Sequence, residues 1–141
     1  MDSIAVLVDS PGGNTKKIAR AIAEELGVAL GDITAPVPED AKILFLGSGT
    51  YSEHTPGRAM TLFIRNGIFT GRRVALFASA TYENDGQRMI GTMADALEKK
   101  GAAIIGVHGS RGRIFVLTNG RTHQVDLDGA KAFAREVVGS G

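Results

Sequence analysis

At 141 residues the chain is long enough for one domain with a substantial core and too short for two ordinary ones. Hydrophobic residues make up 43% and charged residues 22%, with a net charge of +1; this balance excludes a disordered chain and gives no electrostatic case for nucleic acid. The lack of cysteine excludes disulfides, thiolate metal sites, iron–sulfur clusters and a cysteine nucleophile, so redox chemistry would have to come from a bound cofactor.

Ile4-Ala5-Val6-Leu7-Val8 is a continuous apolar run of the kind found in a parallel strand covered on both faces. The polar turn Ser10-Pro11-Gly12-Gly13-Asn14-Thr15 follows, and then a helix in which Ile18, Ile22 and Leu26 recur every four residues until Gly27 stops it. Val28 to Ile33 is a weaker strand candidate, and Pro36 to Asp40 reads as a loop. Ile43-Leu44-Phe45-Leu46 is a strong buried strand, expected to end in a polar loop from Gly47 to His54 with Tyr51 in its middle. Pro56 or Gly57 opens a short helix with Met60, Phe63 and Ile64 on one side, closed by Gly67. Val74 to Ala78 is the next strand, followed by the polar stretch Ser79 to Gly86 around Tyr82. From Gln87 to Lys100, Ile90, Met93, Ala94 and Leu97 mark a helical face, and Gly101 stands where a C-terminal cap belongs. Ala102 to Val107 completes the repeating pattern.

Apolar strands alternating with amphipathic helices predict a single α/β domain over residues 1–141, a three-layer sandwich around a five-stranded parallel sheet. Beyond the fifth strand the pattern changes. Arg113 to Thr118 and Arg121 to Asp126 flank Asn119-Gly120, a strong hairpin signal, so an extra β-hairpin is expected near the C-terminus. Asp128 would then cap a last helix carrying Ala130, Phe133, Ala134 and Val137. No apolar run approaches the length of a membrane span, and Asp2 before five apolar residues makes a poor signal peptide, so a cytoplasmic protein without membrane contact is expected.

The turn after the first strand carries the strongest chemical signal. Ser10, Asn14 and Thr15 bring side-chain donors, while Gly12 and Gly13 let backbone N–H groups turn inward at the start of a helix, where those groups lack partners and the dipole favours an anion. The same residues would also suit an ordinary strand-to-helix turn in which Asn14 or Ser10 only caps the helix. Neither G-x-x-x-x-G-K-[ST] nor a G-x-G-x-x-G after the first strand is present, and Asp9 alone does not make the carboxylate cluster of a phospho-receiver domain. His54, His108 and His123 show no metal-ligand spacing, and no G-x-S-x-G elbow supports hydrolysis. Tyr51 and Tyr82, each alone in a polar stretch beyond a strand, could stack on a planar ring or simply pack under their own loops.

Ser-Pro-Gly-Gly-Asn-Thr followed by Lys-Lys-Ile-Ala resembles the phosphate loop of flavodoxins, a Ser/Thr-x-Thr-Gly-Asn-Thr pattern that holds the phosphate of FMN; Gly12 stands where that family usually has Thr. The resemblance implies strand order 2-1-3-4-5 with FMN at the switch point beside the first strand. It implies a phosphate held by Ser10, Pro11, Gly12, Gly13, Asn14 and Thr15, and a ring bordered by Ser48, Gly49, Thr50, Tyr51 and Ser52 and by Ser79, Ala80, Thr81, Tyr82 and Asp85, with the two tyrosines flanking it. Ser52 occupies the place after the first aromatic where many flavodoxins have Gly. The function implied is the carriage of single electrons between redox partner proteins by a monomer or weak homo-oligomer. An NAD(P)H-dependent quinone or flavin reductase of the same superfamily, or a module that has lost FMN, stays open as an alternative. Arg111, Arg113, Arg121 and His123 surround the expected hairpin, as a basic patch for an acidic partner or as charges that block strand-to-strand aggregation.

Overall fold

The computed structural model describes residues 3–9, 13–34, 37, 40–52, 55–56, 58–79, 85–110 and 121–140. Strands β1 (Ser3–Asp9), β2 (Leu30–Asp32), β3 (Ala41–Ser52), β5 (Arg73–Ser79) and β6 (Ala103–Ser110) form a parallel sheet in the order β2-β1-β3-β5-β6. Numbered among themselves, these five strands run 2-1-3-4-5, as expected. The two-residue strand β4 (Thr55–Pro56) lies off that path and pairs antiparallel with the end of β3.

Alternation along each strand feeds two cores. Ala5 and Leu7 of β1, Leu44 and Leu46 of β3, and Val74 and Leu76 of β5 face α2 (Arg58–Asn66) and α3 (Asp85–Lys99), meeting Met60, Ile64, Ile90, Met93 and Leu97. Val6, Val8, Ile43, Phe45, Ala75 and Phe77 point the other way, toward α1 (Gly13–Leu26) and α4 (Arg121–Ser140), and meet Ile18, Ile22, Ala130, Ala134 and Val137. Phe133 of α4 stands edge-on to Phe45 with ring centroids 5.8 Å apart and planes at 88°, and stacks on His108 of β6 at 5.3 Å and 27°. A 3.1 Å salt bridge from Arg135 to Glu25 ties α4 to α1 across the surface.

Two helices stop as their sequences predict. Gly27 (φ 68°) and Gly101 (φ 88°) take the left-handed conformation that side chains disfavour. The next residue's N–H then reaches back five positions, Val28 to the Ala23 carbonyl at 3.0 Å and Ala102 to the Leu97 carbonyl at 3.1 Å, satisfying carbonyls the helix leaves open.

Three expectations are corrected. The stretch after Leu46 is not a loop: β3 continues to Ser52, because Gly47 and Ser48 pair with Val8 and Asp9 on one side, Gly47 to Gly49 pair with Phe77 to Ser79 on the other, and Thr50 and Ser52 pair with β4. Pro56 accordingly belongs to β4 and α2 opens at Arg58. The extra hairpin is not found. Its first strand, Arg113 to Thr118, and its Asn119-Gly120 turn lie outside the described residues, but Arg121 to Asp126, expected as its second strand, are the opening turns of α4. Asp128 therefore lies inside a helix instead of capping one. Leu127 carries the helical spacing of Ala130, Ala134 and Val137 back past Asp128, and each residue added to an existing helix gains a backbone hydrogen bond, whereas an isolated two-stranded hairpin is marginal.

Gly47 lies opposite Phe77 across β3 and β5, and a Cβ added there would fall inside the fully buried Phe77 ring. Gly47→Ala should therefore destabilise the fold by about 1–3 kcal/mol or more in urea unfolding. Combining it with Phe77→Leu should cost less than the sum of the two single changes; strict additivity would show that the steric conflict is absent.

Candidate functional site

The parallel register brings the strand ends into one line. Asp9 lies opposite Ser48, Gly49 opposite Ser79, and Ser79 opposite Ser110, so the carboxyl ends of β1, β3, β5 and β6 form a common edge. Three gaps between adjacent strands make this edge about 14 Å long. The chain leaves β1 at Asp9 and is helical again from Gly13; it leaves β5 at Ser79 and is helical again from Asp85. Of the predicted site residues, Gly13, Asn14 and Thr15 thus occupy the first turn of α1, Ser48, Gly49, Thr50, Tyr51 and Ser52 the far end of β3, Ser79 the end of β5, and Asp85 the first position of α3. Ser10, Pro11, Gly12, Ala80, Thr81 and Tyr82 lie outside the described residues.

A helix that starts four residues after β1 ends directs its first N–H groups at this edge, where they have no intrahelical acceptor. No acidic residue stands in the first turn of α1 to compete for them. That donor set, with Gly13 lacking a Cβ, fits a phosphate. Thr15 and Ser48 are 3% and 0% exposed and both are engaged with neighbouring groups. Their burial is a feature that residue type alone did not indicate.

Asp9 and Ser110 were not among the predicted site residues. Ser110 was missed because Gly109 and Ser110 carry no apolar signal, although β6 runs on to them. The signal for Asp9 was its position, a carboxylate directly after an apolar strand. Burial pushes its carboxyl above the usual carboxylate range, with the Asp32 charge at the end of neighbouring β2 adding to the rise; the Met60 backbone N–H, donated from the first turn of α2, opposes it. His108 packs flat on Phe133 and belongs to the α4 interface; the site edge lies two residues further on.

A carboxyl whose pKa is higher in the folded than in the unfolded chain holds its proton better when folded. Stability from this group is therefore present at low pH and lost as pH rises from 3.8, the ordinary value, through the raised one. Asp9→Asn keeps an oxygen to accept from Met60 and removes the charge. The ligand-free variant should melt a few degrees above wild type at pH 7, with the gap closing below about pH 3.8; an equal or lower melting temperature at pH 7 would contradict the assignment.

No protein-family model matches the chain, and no curated protein matches it in sequence. Among solved structures, flavodoxin 2 from Bacillus cereus superposes with a TM-score of 0.78 at 20% identity, over 99% of this chain and 99% of that one. A flavodoxin variant from Fusobacterium nucleatum bound to flavin mononucleotide gives 0.68 at 17% identity, over 96% of each chain. A flavodoxin, WrbA-like protein from Agrobacterium tumefaciens gives 0.67 at 15% identity over the full length of both. With its strand order, its layers and its helix caps, the chain has the flavodoxin fold.

Proposed function

We propose that the chain, a single domain over residues 1–141, binds FMN at the carboxyl edge of its sheet and carries single electrons between redox partner proteins. The observation that carries this reading is the common edge itself: α1 begins four residues after the end of β1, and the end of β1 lies in register with those of β3 and β5, so helix N–H donors stand at the edge where the polar ends of the strands gather. The structural neighbours support it, one of them bound to flavin mononucleotide.

In this reading Ser10, Gly12, Gly13, Asn14 and Thr15 hold the phosphate through side-chain and backbone donors, and Pro11 shapes the turn. With Thr absent at position 12, Asn14 and the backbone carry more of that binding. Tyr51 and Tyr82 cover the ring, Ser48, Gly49, Thr50 and Ser52 line one side of it, and Ser79, Ala80 and Thr81 the other. Bound FMN supplies the one-electron chemistry that a chain without cysteine lacks; the protein supplies binding, orientation and charge. Glu53, Glu83 and Asp85 disfavour further negative charge at this edge and so lower the potential for adding it.

Purified from cells, the protein should be yellow, with a flavin absorption spectrum. Asn14→Ala removes a donor to a charged acceptor, a loss of about 1.5–3 kcal/mol, so FMN titrated into the apoprotein should bind roughly ten- to a hundredfold more weakly. An unchanged dissociation constant would refute the assignment of Asn14. Steady-state turnover with NADPH and a quinone would instead identify a reductase.

A further inference from the structure

Three hollows run together along α2 and around the C-terminal ends of α2 and α3. A groove of about 620 Å³ is walled by Ile33, Val37, Leu62, Phe63 and Ile68, with Arg72 also lining it. It meets a hollow of about 380 Å³ through shared Gly67 and Ile68, and that hollow meets a groove of about 660 Å³ between α2 and α3 through shared Lys99 and Lys100. The residues from Gly67 to Arg72 precede β5, and Lys99 to Gly101 precede β6, so the central hollow lies at the amino edge of the parallel sheet, opposite the candidate cofactor edge.

This surface combines apolar area with positive charge. Ile68 is 78% exposed and Leu62 37%, two of the three large hydrophobic residues exposed among those described. Arg65, Arg72, Lys99 and Lys100 line the hollows; Asp95 is their one carboxylate, with Glu98 on the neighbouring turn of α3. Arg65 and Lys99 stand in the last turns of α2 and α3, where the helix dipole favours cations. Lys100 donates from Nζ to the Arg65 carbonyl at 2.8 Å, which fixes its charge in position, and Arg72 donates from Nη1 to the Ala41 carbonyl at 3.1 Å. Arg65, Lys99 and Lys100 form no salt bridge with another described residue.

We propose that the three hollows form one docking surface for an acidic segment of a partner protein that places an apolar side chain against Ile68 and Leu62. The charge selects acidic groups, and the exposed aliphatic side chains select a protein segment over a nucleic acid, for which the hollows offer as aromatics only Phe63, partly buried, and Phe69, fully buried. The central hollow lies at the edge opposite the candidate flavin site, and the charges that carry the proposal, Arg65, Lys99 and Lys100, stand at that end, although the first groove runs along α2 as far as Ala59 and Thr34.

The test uses the whole protein labelled with ¹⁵N and, as probe, a short synthetic peptide of alternating Glu and Leu. Saturable binding should move the amide signals of Ile68, Thr70 and Gly101 and leave those of Gly13 to Thr15 in place. Arg65→Glu combined with Lys99→Glu should weaken the peptide by at least about tenfold and flatten its salt dependence. Ile68→Ser should weaken it by about tenfold with the salt dependence kept. Far-UV circular dichroism and the amide signals of Gly13 to Thr15, expected to match wild type, show that the fold and the other edge are intact, while the charge-reversed variant should melt somewhat lower because two helix ends lose their favourable cations. The proposal is overturned by absence of binding, by shifts confined to the carboxyl edge, by variants that bind as wild type does, or by tighter binding of an oligothymidylate or of phosphatidylserine vesicles than of the peptide.

Discussion

Strand β3 is the constraint on which the rest of the molecule depends. Ile43, Leu44, Phe45 and Leu46 are at most 2% exposed, paired with β1 on one side and β5 on the other and covered by helices on both faces. A strand enclosed in this way offers solvent nothing along its length, so only its ends can meet a ligand. Because β1 and β5 run in register with it, their ends stop at the same level, and the polar residues Ser48, Ser79 and Ser110 gather at one edge without any loop having to reach for them. Burial of the middle and chemistry at the rim are two results of one arrangement.

Much of this was legible in the chain. Apolar runs of four or five residues separated by helical periods lead to a parallel sheet, and Gly27 and Gly101 mark helix ends through a backbone freedom that is a property of the residue itself. What could not be read depends on partners distant in sequence. Gly47, Ser48 and Gly49 are poor strand formers and become strand because two neighbours pair with them. Asn119-Gly120 is a strong local turn signal, yet the residues after it follow the longer-range demand of the apolar stripe that seats α4 on β6 and α1. At the candidate site, the burial of Thr15 and Ser48 and the surroundings of Asp9, set by Met60 and Asp32, come from the assembled fold and are not carried by residue type.

The direction of the strands also sorts charge. Every crossover helix between parallel strands runs back against the sheet, so the helices begin at the carboxyl edge and end at the amino edge. Partial positive charge collects where α1, α2 and α3 begin, and Asp9 meets part of it at Met60. Partial negative charge collects where α2 and α3 end, and Arg65 and Lys99 stand there. A chain with a net charge of only +1 is thus electrically uneven from end to end.

The close fit of α4 on β6 bears on how this sequence is able to change. A Cβ at Gly106 would come within 2.8 Å of Val137 Cγ2 and 3.1 Å of the Phe133 ring, while Phe133 is already wedged between Phe45 and His108. Alanine at position 106 is therefore better tolerated once position 137 has become smaller; taken in the reverse order, the same two steps pass through an overpacked intermediate. The order of substitution is written into the packing, and descendants of this chain should show positions 106 and 137 changing as a pair.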